Sequence, residues 1–504
     1  MLGAVLAFVC YLRLAETRAV NSDGAAQALQ AWDMWHGNLL LHGWSLSDVS
    51  FYTTELPEYV LVEMVRGLHA DVVHVAAALT YTLAVLLAAI LAKGTATGRA
   101  AAARVLVAAG IMLAPQLVQG INVLISSPDH IGTSVPVLVA FVILDRARPR
   151  WYVPLAVAVV LGCAAVGDSL ALVVGVLPVV LVCGVRVAKA VLADRQPLRD
   201  QWYDFWLAAG ALVAGGASVV MLRLLQADGG FHLRPNTGHV IHNAGVLPHN
   251  LGIAGQGVLL LGGADFIGLK LTASTVFLAL HLAGVALIAL GVLVAVRRFA
   301  GGLDVVSQVL VTAIVLNLAA YVLSTLPQAV FFTREIAPVL PLSAVLAGRV
   351  LADRVLAIKF APTVLLVVLA GYVAGLGYEL SQPVVPPQKQ QLTSWLESRH
   401  LSHGLSGYWE SNIVTLSSSG RVHISALYST GASVLPYKWE ADLRSYDAQQ
   451  STADFVVLAP QTAEYYGFND PAPVLATFGP PAHTYRVGPY RVLVWNKNLL
   501  DDLH

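Results

Sequence analysis

Long apolar runs, divided by short loops, recur along this 504-residue chain as far as residue 380. Because a helix needs about 20 apolar residues to cross the hydrocarbon core of a bilayer, these runs predict about eleven membrane spans. Only 12% of the residues are charged, about half the fraction typical of a soluble protein, which supports a membrane protein. The predicted spans lie near residues 2–14, 72–92, 104–125, 132–145, 151–167, 169–185, 203–222, 274–296, 305–323, 338–352 and 361–379.

The loops between these spans alternate in charge. One set is rich in Lys and Arg, whereas the alternate loops, such as "SSPDH" and Gly167-Asp168, contain neither. Because basic loops stay on the cytoplasmic side of a membrane, the other loops are predicted to lie outside the cytoplasm. The outward segments are residues 15–71, 126–131, 167–168, 223–273, 324–337 and everything after 380.

The first apolar run, "LGAVLAFVCYL", is short and is followed directly by Arg13. It is interpreted either as a short span or as the apolar part of a signal peptide. In both interpretations the next segment, residues 15–71, lies outside the cytoplasm.

The sequence changes character after Tyr378, where "SQPVVPPQK" forms a proline-rich linker. Residues 389–399 predict a helix, and "RVHISAL", "DFVVLA", "HTYRVG" and "YRVLVWN" predict strands, the last two joined in a hairpin at Gly488-Pro489. We therefore expect an all-α polytopic membrane domain, residues 1–380, followed by an extracytoplasmic α/β domain, residues 381–504.

Ionisable side chains gather at the outward ends of the predicted spans. Such groups are costly at membrane depth, so a cluster of them on one side of the membrane indicates a functional site. Each also has a local interpretation, because Asp129 and Asp168 could cap helices and Arg334 could pair with Glu335. The local interpretations do not explain why all of them lie on one side. The candidates are Asp23, Glu55, Asp129, His130, Asp168, Arg334 and Glu335.

The outward loop at residues 223–273 carries four histidines, among them His242. No Cys or acidic residue shares their spacing, so a loop that folds over a cavity and touches phosphate or sugar is favoured over a zinc site. The glycine-rich segment "GIAGQGVLLLGGADFIG" is predicted to lie along the membrane interface. Clustered carboxylates permit a divalent metal ion without requiring one, and no metal ligand or cofactor is assigned. The formal net charge of zero argues against a nucleic-acid partner.

Several of these segments resemble the GT-C-fold membrane glycosyltransferases, which include the protein O-mannosyltransferases and the aminoarabinose transferase of lipid A. "SDGAAQALQAWDMWHGN" is similar to the first external loop of that family, and "SPDHIGTSVPVL" and "GDSLALVVGVLP" resemble later outward turns. "TREIAPVLPLSAVLAGR" is similar to the Arg-containing segment that faces the lipid phosphate. Residues 55–57, Glu-Leu-Pro, depart from the paired prolines usual in the family. The resemblance covers residues 1–185 and 324–380 in layout.

This resemblance implies a plasma-membrane enzyme that moves a sugar, a hexose or pentose, from a polyprenyl-phosphate donor to an extracytoplasmic acceptor. The acceptor would be a cell-envelope glycan, a lipid or a protein, and the reaction would invert the anomeric configuration. Asp23 would be the general base and Asp129 or Asp168 would orient the acceptor or the base. Arg334 would stabilise the leaving phosphate. The remaining predicted substrate-binding residues are Glu55, His130, Glu335 and His242.

Two other functions are considered. A transporter or flippase of lipid-linked glycans would place ionisable groups near the bilayer midplane and show repeated halves, neither of which is visible here. A noncatalytic envelope scaffold would use its outward domain to bind glycan or protein, with Tyr408 and Trp409 either stacking on sugar or packing in a core.

Overall fold

The computed structural model describes residues 2–115, 120–235, 238–270, 273–386, 389–460 and 468–503. Helices dominate the first part of the chain, and a mixed sheet with flanking helices forms the last part. The predicted fold class, a helical polytopic membrane domain with a C-terminal α/β domain, is therefore confirmed.

The first part contains helices α1 Leu2–Ala15, α2 Ser22–Trp35, α3 Glu55–Arg66, α4 Val72–Lys93, α5 Gly98–Met112, α6 Gly120–Leu124, α7 Asp129–Gly132, α8 Ser134–Arg146, α9 Tyr152–Gly167, α10 Leu177–Ala188, α11 Trp202–Ala227, α12 Leu247–Leu261, α13 Ala273–Arg298, α14 Val305–Val322, α15 Val339–Ala357 and α16 Ala361–Leu380. Two π-helical turns, Leu172–Val176 and Lys189–Ala193, extend α10 at both ends. Shorter 3₁₀ helices lie at Leu198–Gln201, Ala244–Val246 and Val330–Ile336.

Within the described residues, seven helices are long and apolar enough to cross a membrane, or eight if the bent pair Val330–Ile336 and Val339–Ala357 is one span. The predicted count of about eleven is not confirmed, because Leu2–Ala15 and Tyr152–Gly167 are apolar but shorter. The predicted span at 104–125 includes residues 116–119, which lie outside the described residues. The first ten residues of the glycine-rich segment predicted at the interface, residues 252–261, belong to the apolar helix Ala244–Leu261, which has the length of a span.

Helix α15 lies at the centre of the helical domain. Its first ten residues are all buried, as expected for a helix that neighbours surround on every side. Gly291 on α13 lets that helix approach closely, since a Cβ there would lie 3.0 Å from the Cα of Ala347. The 3₁₀ helix Val330–Ile336 meets α15 at an angle of 57°. Arg334 and Glu335 are therefore carried at a bend at one end of the central helix.

The C-terminal part contains helices α17 Gln390–Ser398, α18 Tyr408–Ser417 and α19 Pro471–Phe478, and strands β2 His403–Gly407, β3 His423–Ser429, β4 Val434–Pro436, β5 Ala441–Asp442, β6 Phe455–Leu458, β7 His483–Val487 and β8 Tyr490–Val494. The main sheet has the order β4-β3-β2-β6-β8-β7. β2 is parallel to β3 and β6, and the other pairs are antiparallel. The four predicted strands and the β7–β8 hairpin are confirmed, whereas β2 and β4 were not predicted.

The C-terminal part is attached to the first loop, residues 15–71, through both strands and helices. Strand β1, Trp44–Ser45, pairs with β5 in a two-stranded antiparallel sheet. Helix α18 packs on α2, where Ile413 and Leu416 share an apolar cluster with the alanines of α2. The hydroxyl of Ser22 donates a hydrogen bond to the carbonyl oxygen of Tyr408 at 2.6 Å. These contacts fix the start of α18 beside the start of α2.

Candidate active site

Asp23 lies in the first turn of α2. The helix begins there because the side chain of Asn21 accepts a hydrogen bond from the amide of Gly24 at 2.7 Å and so caps the helix. Gly24 presses against α4, since a Cβ at this position would lie 2.7 Å from Cγ1 of Val73. The partial positive charge of a helix N-terminus favours an ionised carboxylate at this position.

Arg334 and Tyr408 contact the two oxygens of Asp23 from opposite ends of the sequence. Nη1 of Arg334 lies 3.5 Å from Oδ2, and the hydroxyl of Tyr408 lies 2.5 Å from Oδ1. The guanidinium of Arg334 is also 4.9 Å from the centre of the Phe331 ring. Asp23 and Arg334, both predicted site residues, are therefore neighbours.

Tyr408 connects Asp23 to a second buried acid, Glu440. The Tyr408 hydroxyl lies 3.2 Å from Oε2 of Glu440, whose side chain is 4% exposed. A hydroxyl has only one proton to donate, so to bond both carboxyl groups it must accept from one of them, and that group must be protonated. Burial, strengthened by the charges of Asp23 and Asp129, holds the pKa of Glu440 well above its usual range.

Burial also raises the pKa of Asp23, but the charge of Arg334 and the hydrogen bond from Tyr408 oppose the increase. Two acids whose surroundings differ in this way can hold different protonation states at one pH. We assign the proton to Glu440 and the negative charge to Asp23. Tyr408 then accepts from Glu440 and donates to Asp23, leaving Asp23 able to accept a further proton.

His130 joins Asp168 and Glu335 behind Arg334. Its Nδ1 lies 2.8 Å from Oδ2 of Asp168, and its Nε2 lies 3.3 Å from Oε1 of Glu335. Glu335 lies 3.9 Å from Nε of Arg334. An alternation of acidic and basic groups therefore runs from Asp168 to Asp23. Asp168 also accepts a hydrogen bond from the amide of Leu170 at 2.8 Å, so its carboxylate both stabilises the local turn and pairs with His130.

Asp129 is held next to Asp23 through α2. Its Oδ1 accepts from Nε2 of Gln27 at 3.2 Å and its Oδ2 from the hydroxyl of Ser127 at 2.8 Å. Its backbone is left-handed, with φ of +33°, which is uncommon for a residue other than glycine. Its side chain makes no helix-capping hydrogen bond, and its negative charge raises the pKa of Asp23.

Glu55 and His242 lie apart from Asp23. The Glu55 side chain is 1% exposed, accepts from the Thr54 hydroxyl and presses on Gly132, where a Cβ would be 2.2 Å from Oε1. Burial raises its pKa well above the usual range. His242 is exposed in the segment before the 3₁₀ helix Ala244–Val246 and does not line the cavity at Asp23.

A cavity of about 690 Å³ opens onto Asp23 and Arg334, and both parts of the chain form its walls. Most of the lining side chains are aromatic. Of those in the C-terminal part, Tyr408 and Trp409 were considered from the sequence for sugar stacking in a scaffold or for core packing, and none was predicted as an active-site residue. The motifs "GYWE" and "YKWE", each with an acid next to a Trp, were the available signal in the sequence. The aromatic lining residues are Phe331, Phe332, Tyr408, Trp409, Tyr428, Tyr437, Trp439 and Phe468.

The acids that the structure describes at the cavity do not form a metal site. Among the described residues, no three or more His, Cys, Asp or Glu side chains form a group that could hold one. The oxygens of Asp129 are occupied by Gln27 and Ser127, and those of Asp23 by Arg334 and Tyr408. We therefore derive no catalytic step through a metal.

Comparison with protein-family models and with curated proteins gives no match. Solved structures do match. ArnT from Cupriavidus metallidurans in the apo state has a TM-score of 0.55 at 13% identity, covering 99% of this chain and 98% of that one. The same protein bound to undecaprenyl phosphate gives 0.54 at 11% identity, covering 97% and 96%.

The oligosaccharyltransferase of Archaeoglobus fulgidus, in complex with Zn and sulfate, gives a TM-score of 0.52 at 13% identity, covering 90% of this chain and 67% of that one. This chain has the GT-C fold. The GT-C resemblance seen in the sequence is thereby confirmed. In this GT-C chain, Asp23, Arg334 and the C-terminal residues Tyr408 and Glu440 meet at one cavity.

Proposed function

We propose that this protein is a membrane glycosyltransferase that moves a hexose or pentose from a polyprenyl phosphate to a hydroxyl group outside the cytoplasm. The observation that carries the proposal is the meeting of Asp23 and Arg334, a carboxylate and a guanidinium 3.5 Å apart, at a cavity of about 690 Å³. The GT-C fold, shared with a protein that binds undecaprenyl phosphate, supports a lipid-linked sugar donor.

In the proposed reaction, the acceptor hydroxyl oxygen attacks the anomeric carbon of the donor sugar while Asp23 takes the hydroxyl proton. The bond between the anomeric carbon and the phosphate oxygen breaks, and the polyprenyl phosphate leaves with the electron pair. Arg334 stabilises the negative charge of that phosphate, because a guanidinium can donate two parallel hydrogen bonds to its oxygens. A single displacement of this kind inverts the anomeric configuration.

The neighbouring groups hold these two residues in place. Glu440, neutral, orients Asp23 through Tyr408, and it adds no second negative charge where the base must act. Glu335 pairs with Arg334 and is itself paired with His130. These ion pairs hold the guanidinium at the cavity when it exchanges Asp23 for the phosphate. Asp129 holds α2 through Gln27.

The proposed setting is the plasma membrane, with the first loop and residues 381–504 on the side away from the cytoplasm. The basic loops that the sequence places on the cytoplasmic side support this orientation. Because the two segments are joined through β1 and β5, they lie on the same side.

The test is whether protein purified in detergent consumes a synthetic undecaprenyl-phosphate-linked sugar. We expect release of undecaprenyl phosphate together with glycosylation of an added acceptor. A transporter of lipid-linked glycans needs a sealed membrane and leaves the sugar–phosphate bond intact. Recovery of the intact sugar lipid, across a panel of hexosyl and pentosyl donors and acceptors, would reject the transferase.

A further inference from the structure

A second cavity of about 740 Å³, lined mainly by the C-terminal part, adjoins the cavity at Asp23. Tyr428 and Tyr437 line both cavities and so form their common wall. The second cavity continues past Lys438 to Tyr446. Each cavity alone has the volume of a small-molecule site. Two such cavities side by side have room for a ligand built of several linked units.

Tyr408, whose hydroxyl contacts Asp23, packs against this shared wall and extends it into a row of three tyrosine rings. The ring centre of Tyr408 lies 5.3 Å from that of Tyr437, which lies 6.2 Å from that of Tyr428. Tyr428 is 44% exposed, although a large aromatic side chain gains from burial. The rings of Tyr437 and Tyr428 therefore line a surface that a ligand can contact as it extends away from Asp23.

We propose that the acceptor is a glycan chain, whose terminal sugar presents a hydroxyl to Asp23 while the preceding sugars lie along Tyr437 and Tyr428. The inference rests on the proposed transferase function. A sugar ring has C–H faces that stack on aromatic rings and a hydroxyl-bearing edge that needs polar partners. Both are present here, because Ser429, Asn469 and Asp470 stand among the rings.

A peptide or a lipid alcohol fits this groove less well. An extended peptide would bind by adding a strand to the sheet edge, but β4 has only three residues and ends at Pro436, which lacks an amide proton. A lipid acceptor would need an apolar wall throughout. The outer cavity instead carries Arg234, Lys438 and Asp447.

The test measures binding apart from catalysis. The full-length protein in nanodiscs is titrated with arabinose, mannose, glucose or galactose oligosaccharides of one to six units. The change in intrinsic tryptophan fluorescence, to which Trp409 and Trp439 at the cavity contribute, is followed. We expect one series to bind more tightly as its length increases. Tyr428→Ala should lower the affinity for the tetrasaccharide of that series about tenfold and leave the affinity for the monosaccharide unchanged.

Two variants control for side effects. Tyr428→Phe keeps the ring and should bind as the wild type does. Tyr485→Ala removes an aromatic ring from β7, at the opposite edge of the sheet from β4, and should have no effect on binding.

The outcomes separate the two proposals. Length-dependent binding that is lost in Tyr428→Ala, without any release of polyprenyl phosphate, would support the glycan groove and reject the transferase. Transfer of sugar to a Ser/Thr peptide or a lipid alcohol, with no length-dependent glycan binding, would reject the proposed glycan groove and support the proposed transferase function. An unchanged tetrasaccharide affinity in Tyr428→Ala would also overturn the groove.

Discussion

The hydroxyl of Tyr408 lies 2.5 Å from Oδ1 of Asp23, although the two residues are 385 positions apart in the chain. Asp23 belongs to the first loop and Tyr408 to the first turn of α18 in the C-terminal part. The C-terminal part is thus a component of the candidate active site. Its removal would take away Tyr408, Glu440 and most of the cavity wall.

Replacing Tyr408 by Phe should change the pH dependence of sugar transfer. Activity requires ionised Asp23, so it rises as the pH increases through the pKa of that carboxyl group, which burial has raised. The hydrogen bond from Tyr408 lowers this pKa, and without it the acid limb of the profile should move to higher pH. We expect about a tenfold lower rate below neutral pH and a smaller loss above it.

The measurement is the rate of sugar transfer against pH, with Tyr485→Phe as the control. A uniform loss of rate at every pH would contradict the assignment, because it would show a structural role without an effect on the ionisation of Asp23.

Arg334 should act on the leaving phosphate. Arg334→Ala is expected to lower kcat by about 10²–10³, the range seen when a group that stabilises developing charge is removed. Arg334→Lys keeps the charge without the forked geometry, so its rate should be intermediate. Single-turnover kinetics report the chemical step. Arg421→Ala, which breaks an exposed ion pair with Glu397, should retain the wild-type rate. An Arg334→Ala enzyme of normal kcat and raised KM would instead indicate a role in binding only.

His130 should stabilise the fold by separating two carboxylates. In His130→Ala, buried Asp168 and Glu335 lose their shared partner, and breaking a buried ion pair costs about 3–5 kcal/mol. Denaturant unfolding in mixed micelles measures this loss. Adding Asp168→Asn to His130→Ala removes one orphaned charge and should restore part of the stability. Additive losses in the double variant would show that the two residues do not interact.

Glu63 on α3 should make stability depend on pH. It is buried, and neither carboxylate oxygen has a hydrogen-bond partner among the described residues. Burial raises its pKa from 4.5 to about 9. The folded protein then binds more protons than the unfolded chain between these values, so the free energy of unfolding falls as pH rises through that range.

Glu63→Gln removes this titration. The stability difference between variant and wild type should therefore shift in favour of the variant between pH 5 and pH 8, by a change on the order of 4 kcal/mol. Unfolding measured at both pH values tests it, with Glu397→Gln, at a solvent-accessible ion pair with Arg421, as the control. Parallel pH dependences for the variant and the wild type would show that Glu63 is not titrating as a buried group.

The sequence indicated the residues of this site that the helical domain supplies, whereas for the C-terminal residues it contained only the short motifs "GYWE" and "YKWE". The loops that contain Asp23, His130 and Arg334 alternate with loops rich in Lys and Arg. Because basic loops stay on the cytoplasmic side, this pattern placed all three residues on the opposite side of the membrane. Tyr408 and Glu440 depend on packing between distant segments. The strands β1 and β5 that dock them have two residues each, too few for a pattern of alternation.

His242 is a residue that the sequence predicted at the site and that the structure places elsewhere. Its histidine-rich loop was predicted to fold over a cavity in preference to binding zinc, but composition does not fix where an irregular segment lies. The structure places His242 on the surface, away from the cavity at Asp23. The predicted number of spans stays unconfirmed for a related reason, since an apolar run such as that of α9 forms a helix of only 16 residues, shorter than the helices that meet the length of a span.

The most direct test of the account is the rate at which Asp23→Asn releases undecaprenyl phosphate from a lipid-linked sugar that the wild-type enzyme consumes. The substitution keeps the shape of the side chain and removes its basicity. We expect the rate to fall by about 10²–10⁴, with undecaprenyl phosphate bound as in the wild type, while Asp353→Asn at an exposed ion pair keeps full activity. An Asp23→Asn enzyme that turns over at the wild-type rate would contradict the account.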